Sequence, residues 1–132
     1  MAFKDILVAL SSYPDPAPLS VVDNAVSIAT ALGAHIAALS FENHVQVPGH
    51  FIPSSLIGGI LAEETRRSRQ NARDLLAGFG AVAEKFGVLH ETILEKCPTP
   101  EVPDILVEYA RLRDLTILSV PVSYDQWYAD AI

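Results

Sequence analysis

Three polar residues directly after the first apolar stretch are the clearest candidates for chemistry. Ser11, Ser12 and Asp15 follow the run from Asp5 to Leu10. If that run is a parallel strand of an open α/β sheet, these side chains lie at the carboxyl edge, where such sheets bind ligands. Their location therefore favours a small-ligand site. A solvated turn is the simpler alternative, because no glycine or cation accompanies them.

A second group of residues carries side chains that can bind a metal ion. Glu42, His44 and His50 lie close together in the sequence. Zinc usually requires three or four ligands at a spacing that brings them together. The segment from residue 42 to residue 55 has prolines, a glycine and no clear periodicity. We therefore predict a polar surface loop there and no metal site.

Three arginines recur at helical spacing and suggest an anion-binding patch. Arg66, Arg69 and Arg73 are three and four residues apart, so they share one face of a predicted helix. A phosphate or an acidic partner would suit this face. A solvated helix surface is the simpler interpretation, because Glu63 lies four residues before Arg67, at the spacing of an ion pair.

The sequence contains no recognisable catalytic arrangement. No serine lies in a nucleophile elbow, and no pair of carboxylates is brought together by helical spacing at a strand end. We therefore predict that the chain is not an enzyme. Four aromatic residues form a further group, namely Tyr13, Tyr124, Trp127 and Tyr128. If the carboxyl-terminal tail folds back, they would line an apolar pocket or an interface. Packing of the tail is the simpler account.

Four short apolar runs predict the strands of the sheet. Asp5 to Leu10 is continuous rather than alternating, which is typical of a strand covered by helices on both faces. We place the others over residues 35–41, 88–95 and 114–120. The third alternates in polarity and suits an edge strand.

Helical periodicity separates these strands. The first predicted helix covers residues 19–32, with Ser20 and Asp23 as a capping box and Gly33 as its stop. A long helix near residues 56–86 follows, and Thr99 is predicted to cap a third. The predicted buried stripe of the long helix is Ser68, Ala72, Leu75, Leu76, Phe79, Val82 and Phe86, and that of the third helix is Val102, Ile105, Leu106, Tyr109 and Ala110.

Composition limits the class of protein. The chain has 132 residues, half of them apolar, which suits one domain over residues 1–132. The net charge of −7 would repel nucleic acid. No apolar run approaches the roughly 20 residues of a membrane-spanning helix, and the start shows no export signal. Because Cys97 is the single cysteine, it forms no internal disulfide. We expect a cytoplasmic protein, with Cys97 passive.

The order of elements resembles that of the universal stress protein family. Three segments carry the likeness, namely residues 3–10 (FKDILVAL), residues 29–39 (ATALGAHIAAL) and residues 105–118, from ILVEYA to DLTIL. The resemblance implies an open, mainly parallel Rossmann-like sheet of order 3-2-1-4-5 with helices on both faces. It also implies a role in cellular stress response and homodimers formed through the fifth strand. We expect the chain to stop after the fourth strand, as a shortened domain or part of a tandem protein.

The residues that hold ATP in the family are replaced here. The resemblance places Ser11 where ATP-binding members have an aspartate, and Ser119 and Val122 where they have the first two glycines of the phosphate loop. Side chains at those positions block close approach of the backbone to phosphate, and Pro121 has no amide to donate. The ligand-site residues that we predict are Ser11, Ser12, Asp15, Phe41, Ser119 and Val122.

These departures lead to an expectation about function. We expect a non-catalytic stress-response protein that works by self-association or partner binding and does not bind ATP in the family manner. The alternative is a nucleotide-binding switch or weak ATPase whose pocket is completed by a second domain or a carboxyl-terminal segment. No cofactor is predicted, and neither nucleic acid nor a membrane is an expected partner.

Overall fold

The computed structural model describes residues 4–44 and 54–119. In chain order, the elements are β1 (Asp5–Leu10), α1 (Leu19–Leu32), β2 (His35–His44), α2 (Ser54–Lys85), β3 (His90–Pro98), a 3₁₀ turn (Thr99–Glu101), α3 (Val102–Ala110) and β4 (Leu115–Leu118). The strands form one parallel sheet of order β3-β2-β1-β4. This confirms the predicted fold class and strand order, including β3 at an edge.

The sheet has an apolar core on each face. Residues Ile6, Val8 and Leu10 of β1 pack toward α1 and α2, together with the fully buried Phe79. Leu7 points to the opposite face, which α3 covers. This arrangement explains why β1 is apolar at consecutive positions: a strand with helices on both faces has no side exposed to water.

An aspartate fixes the amino-terminal edge of the sheet where β4 begins. The Oδ2 atom of Asp114 accepts hydrogen bonds from the backbone N–H groups of Lys4 (2.8 Å) and Asp5 (3.0 Å). The amide of Asp114 in turn donates to the carbonyl of Asp5. The two backbone donors lower the pKa of the Asp114 carboxyl. These bonds set the register of β4 beside β1.

Both predicted caps are wrong. The N-cap of α1 is Pro18, so Ser20 lies inside the first turn, where its side chain is not in the capping position. Thr99 begins a 3₁₀ turn and makes no capping bond; its buried hydroxyl has no hydrogen-bond partner among the described residues. Neither helix start has a side-chain cap: Pro18 is the N-cap of α1, and the 3₁₀ turn and α3 each have a proline in their first positions, where an amide would have no helical partner.

Other boundaries also differ from the predictions. Strand β2 continues three residues beyond Phe41, and β3 runs to Pro98, because these ends pair with each other across the sheet. Phe86 is 51% exposed rather than buried; it lies beyond the last helical residue, and Ala83 occupies the buried position in its place. Across the described part of the chain, no helix is both long and apolar enough to cross a membrane.

Gly33 ends α1 as predicted, in a left-handed conformation with φ of 60°. We expect Gly33→Ala to destabilise the fold by about 1–2 kcal/mol, because a β-carbon is strained at this backbone conformation. Gly80 is the matched control: it lies inside α2, and an added β-carbon would meet no atom within 4 Å.

Gly80→Ala should therefore stabilise the protein by up to about 1 kcal/mol through helix propensity. Urea unfolding of both variants measures the two effects. Equal effects of the same sign at the two glycines would contradict the assignment of Gly33 as the helix stop.

Candidate ligand pocket at the carboxyl edge of the sheet

An open pocket of about 430 Å³ lies at the carboxyl edge of the sheet, between β1, the end of β2, and α3. Its volume is within the range typical of small-molecule sites. The described residues that line it are Ala9, Leu10, Ser11, Ser12, Tyr13, Phe41, Asn43, Thr99, Val102, Pro103, Leu106, Leu118 and Ser119. The site forms here because parallel strands β1 and β4 end side by side while β2 continues past them.

The structure brings four of the predicted ligand-site residues together. Ser11, Ser12, Phe41 and Ser119 all line the pocket. Asp15 does not line it and is exposed in the loop after β1, as expected for a solvated turn. Val122, the sixth predicted residue, lies outside the described residues.

The pocket lining carries no formal charge within the described residues. Its polar side chains are hydroxyls and one amide, and Tyr13 is its single titratable group. The Ser11 hydroxyl already donates to the carbonyl of Tyr13 at 3.2 Å. The turn that leads into α3 has prolines in its first positions, which removes amide donors from that helix start. Nothing in this lining compensates the charge of a phosphate group.

A buried network of hydroxyls lies beneath the pocket and joins β1, β2 and α2. Ser12 and Ser68 are each 1% exposed, and their Oγ atoms are 2.9 Å apart. The Ser12 hydroxyl contacts the Phe41 carbonyl, and the Ser68 Oγ accepts from the backbone N–H of Asn43 at 2.9 Å. Ser12 is therefore held by a buried hydrogen-bond network at the base of the pocket.

Two side chains of α2 hold the loop that forms the pocket wall. The Nδ2 of Asn71 donates to the Ser12 carbonyl at 3.1 Å, and Arg67 donates to the Pro14 carbonyl at 3.2 Å. Both carbonyls belong to the loop between β1 and α1. The position of Ser11 and Tyr13 in the pocket therefore depends on the packing of α2.

Beside this network lies a buried carboxylate, Glu42, which the sequence analysis placed in a surface loop. That prediction is wrong: Glu42 is 1% exposed on the extension of β2 and is paired with Arg69 of α2 and with His44, whose Nε2 is 3.0 Å away. Burial raises the pKa of Glu42, but the hydrogen bonds from Arg69 and His44 and the charges of Arg69 and Lys96 outweigh it. The resulting pKa is lower than usual.

The other candidate sites separate in the structure. Arg69 is engaged by Glu42, and Arg66 forms an ion pair with Glu63, so two of the three arginines on this helix face already have carboxylate partners. Glu63 pairs with Arg66 rather than with Arg67, which contacts Glu64. His50 lies outside the described residues, and the described ones contain no group of three metal-capable side chains.

Cys97 is buried at 4% exposure near the end of β3. Burial, followed by the charges of Glu101 and Glu95, raises the pKa of its thiol. A raised pKa keeps the thiol protonated and unreactive. The geometry therefore agrees with a passive cysteine. Of the predicted aromatic group, Tyr13 lines the pocket and the other three members lie outside the described residues.

Sequence reasoning missed the residues that complete the pocket from β2 and α3. Asn43 lies two positions after Phe41 on the same face of β2, a spacing that an extended strand would have revealed. Val102 and Leu106 are four residues apart on α3. Their helical spacing predicts that they share the buried face of the helix, but not that they line a pocket. By contrast, the contacts that α2 makes with the pocket loop and with β2 join residues far apart in the sequence, so no local sequence pattern predicts them.

We expect Glu42→Gln to lower the free energy of unfolding at pH 7 by about 1–3 kcal/mol, because Arg69 and His44 lose a buried carboxylate. The folded pKa of Glu42 is depressed, so its contribution is present above the unfolded pKa, near 4.5, and is lost as pH falls through the lower folded value. The difference between the wild type and the variant should therefore shrink below about pH 4.5.

Glu63→Gln is the matched control, because Glu63 is also paired with an arginine but is exposed. Exposed pairs contribute little to stability, so this variant should unfold like the wild type at every pH. Chemical unfolding monitored by circular dichroism from pH 3 to pH 8 measures both. A constant difference between wild type and Glu42→Gln across that range would contradict the role of the charge.

The fold matches solved structures of universal stress proteins. A protein of this family from Lactobacillus plantarum superposes with a TM-score of 0.66 at 18% identity, over 96% of this chain and 84% of that chain. A family protein from Burkholderia pseudomallei gives 0.59 at 21% identity, over 98% and 90%. One from Arabidopsis thaliana, solved with AMP bound, gives 0.56 at 17% identity, over 92% and 80%.

No protein-family model matches the sequence, and no curated protein matches it significantly. The identities to the three structures are low, so the likeness is one of fold. The sheet order and the sequence of elements nevertheless agree with the expectation from the sequence. The chain is therefore an α/β domain with the universal stress protein fold.

Proposed function

We propose that this chain is a non-catalytic cytoplasmic protein of the universal stress type. It acts in cellular stress response by binding a partner or a second copy of itself, and it does not bind ATP in the family manner. The observation that carries the proposal is the uncharged lining of the pocket at the carboxyl edge of the sheet. This is the place where an open α/β sheet would otherwise hold a charged ligand.

The same lining argues against catalysis. A serine nucleophile needs a neighbouring base, and neither Ser11 nor Ser12 contacts one among the described residues. Ser11 donates to a backbone carbonyl, and Ser12 is enclosed among the Phe41 carbonyl, Asn43 and Ser68. General acid or base chemistry needs a titratable group near neutral pH. No histidine, carboxylate, lysine or cysteine side chain lines the described part of the pocket.

The argument against ATP rests on the groups that phosphate requires. Phosphates are held by backbone amides at close approach and by cations. Ser11 and Ser119 bring side chains to the pocket where the family has a carboxylate and a glycine, and no Lys or Arg lines its described part. Adding a carboxylate at Ser11 alone would not supply the missing phosphate contacts.

The alternative is a nucleotide-binding switch or weak ATPase whose pocket is completed by a second domain or further chain. One observation favours it: the neighbour of the same fold from Arabidopsis thaliana was solved with AMP bound. The pocket is also large enough for a small ligand. The two proposals differ in whether binding depends on phosphate and magnesium.

Isothermal titration of the protein with ATP, with and without magnesium, separates them. We expect no binding with a Kd below about 1 mM, an affinity equivalent to about 4 kcal/mol. Ser11→Asp, which restores the family carboxylate, should leave this result unchanged. Micromolar binding that requires magnesium and is weakened by a substitution at Ser11 would refute the proposal and support the alternative.

Self-association is the second part of the proposal, and its basis is the edge of β4. Among the described residues, β4 pairs on one side only, with β1. Leu118 at its end is 56% exposed. The unpaired backbone N–H and C=O groups along one edge of an apolar strand can form hydrogen bonds with a strand of another chain. We propose that a second copy covers this edge.

Light scattering coupled to size exclusion should therefore show a dimer at micromolar concentration, and Leu118→Lys should shift it toward monomer by placing a charge at the strand edge. Leu112→Lys is the matched control, because Leu112 is 80% exposed but precedes β4. A monomeric wild-type protein, or equal dissociation in both variants, would rule out this interface.

A further inference from the structure

We propose that the pocket at the carboxyl edge binds an uncharged, mainly apolar small molecule with aromatic rings. This inference rests on the proposed function, since it assigns a ligand class to the pocket that we argue is unsuited to ATP. It goes further by predicting occupancy of that pocket. The chemical class follows from three properties of the described lining, namely its apolar walls, the engagement of the Ser11 and Ser12 hydroxyls, and its lack of charge.

The walls of the pocket are apolar and come from opposite sides. Ala9 and Leu118 contribute the sheet side, while Val102 and Leu106 contribute the α3 side. A flat ring system between a sheet edge and a helix face would bury apolar surface on both sides. Burial of that surface stabilises binding by roughly 25 cal/mol per Å² before the cost of association.

Two of the pocket hydroxyls, those of Ser11 and Ser12, are already engaged. The Thr99 hydroxyl has no partner among the described residues, so it can bond one polar atom of a ligand. Ser11 donates to the Tyr13 carbonyl, while the Ser12 hydroxyl is shared among the Phe41 carbonyl, the Asn43 side chain and Ser68. A ligand that required strong hydrogen bonds from them would have to disrupt bonds that hold the loop to β2 and α2. A ligand with few polar atoms binds without that cost.

A charged ligand would have no partner in the described lining. The nearby Glu42 is buried and forms an ion pair with Arg69 and a hydrogen bond with His44, so its carboxylate is not available to a cation. No described lining residue carries a positive charge for an anion. Transfer of an unpaired charge from water into this site is unfavourable, which selects against charged molecules.

Two fluorescent probes with the same ring framework test the charge selectivity. N-phenyl-1-naphthylamine is uncharged, and 8-anilinonaphthalene-1-sulfonate adds one sulfonate to the same rings. We expect saturable binding of the uncharged probe at one site per chain, at least about tenfold tighter than the sulfonate, which corresponds to about 1.4 kcal/mol. The proposal would be overturned if the sulfonate bound with an affinity equal to or higher than that of the uncharged probe, or if neither probe bound.

Two matched substitutions on α3 locate the site. Leu106→Trp fills the pocket from the helix side and should weaken binding of the uncharged probe at least about tenfold. Val107→Trp adds the same side chain at the next residue, which is 49% exposed and does not line the pocket, and should leave binding unchanged. An equal affinity of the two variants for the probe would contradict this location.

A third variant tests the same proposal if Leu106→Trp does not fold. Ser11→Asp introduces a charge at the half-buried pocket rim and should also weaken binding of the uncharged probe, while a cooperative thermal unfolding transition shows that the fold is intact. Strong probe binding by folded Ser11→Asp would overturn the proposal. Failure of the probe to bind, together with no ATP binding, refutes this inference alone; magnesium-dependent ATP binding refutes the proposed function.

Discussion

The parallel pairing of β1 with strands on both sides is the constraint on which the rest of this structure depends. The register places Asp5 beside His35 of β2 and Ile6 beside Leu115 of β4. This ladder satisfies the backbone groups of a strand that is buried on both faces, where an unpaired amide would be costly. Because β1 and β4 end together while β2 continues, the pocket opens where the ladder stops. Ser11 lies at the pocket because it follows the last residue of β1, and contacts from α2 hold the loop that it begins.

The extension of β2 shows how tertiary contacts override local sequence preference. Glu42, Asn43 and His44 are polar and precede a proline-containing segment, so the sequence indicates a loop. In the fold, Glu42 is paired with Arg69, and the Asn43 amide donates to Ser68; both partners lie on α2, more than twenty residues away. These contacts make a strand of residues that have little strand propensity. A network of this kind cannot be inferred from periodicity, because its members are far apart in sequence.

Much of the fold and part of the candidate site could be predicted, since their signals are local. The continuous apolar run of β1, the helical spacing of α1 and the stop at Gly33 each reflect neighbouring residues, and all three lie where predicted. Ser11 followed from the rule that open α/β sheets bind ligands at the carboxyl ends of their strands, and Ser119 followed from the resemblance to the phosphate loop of the family. The sequence did not predict that Val102 and Leu106 of α3 line the pocket, because this depends on how α3 crosses the sheet. Ser68 was predicted to be buried from its spacing, but its partners were not.

The distribution of charge links stability to the chemistry of the pocket. The chain carries 16 acidic and 9 basic side chains, yet its described pocket lining has none of either. Near the pocket, a buried charge belongs to Glu42, which is compensated within the protein by Arg69 and also bonded to His44. A buried carboxylate with such partners is held in place by them and has little capacity left for a ligand. The ion pair therefore secures α2 against β2, and α2 in turn holds the loop through Asn71. Charged contacts outside the pocket hold its walls, while the described part of its lining is neutral, and this separation is the basis for proposing an uncharged ligand.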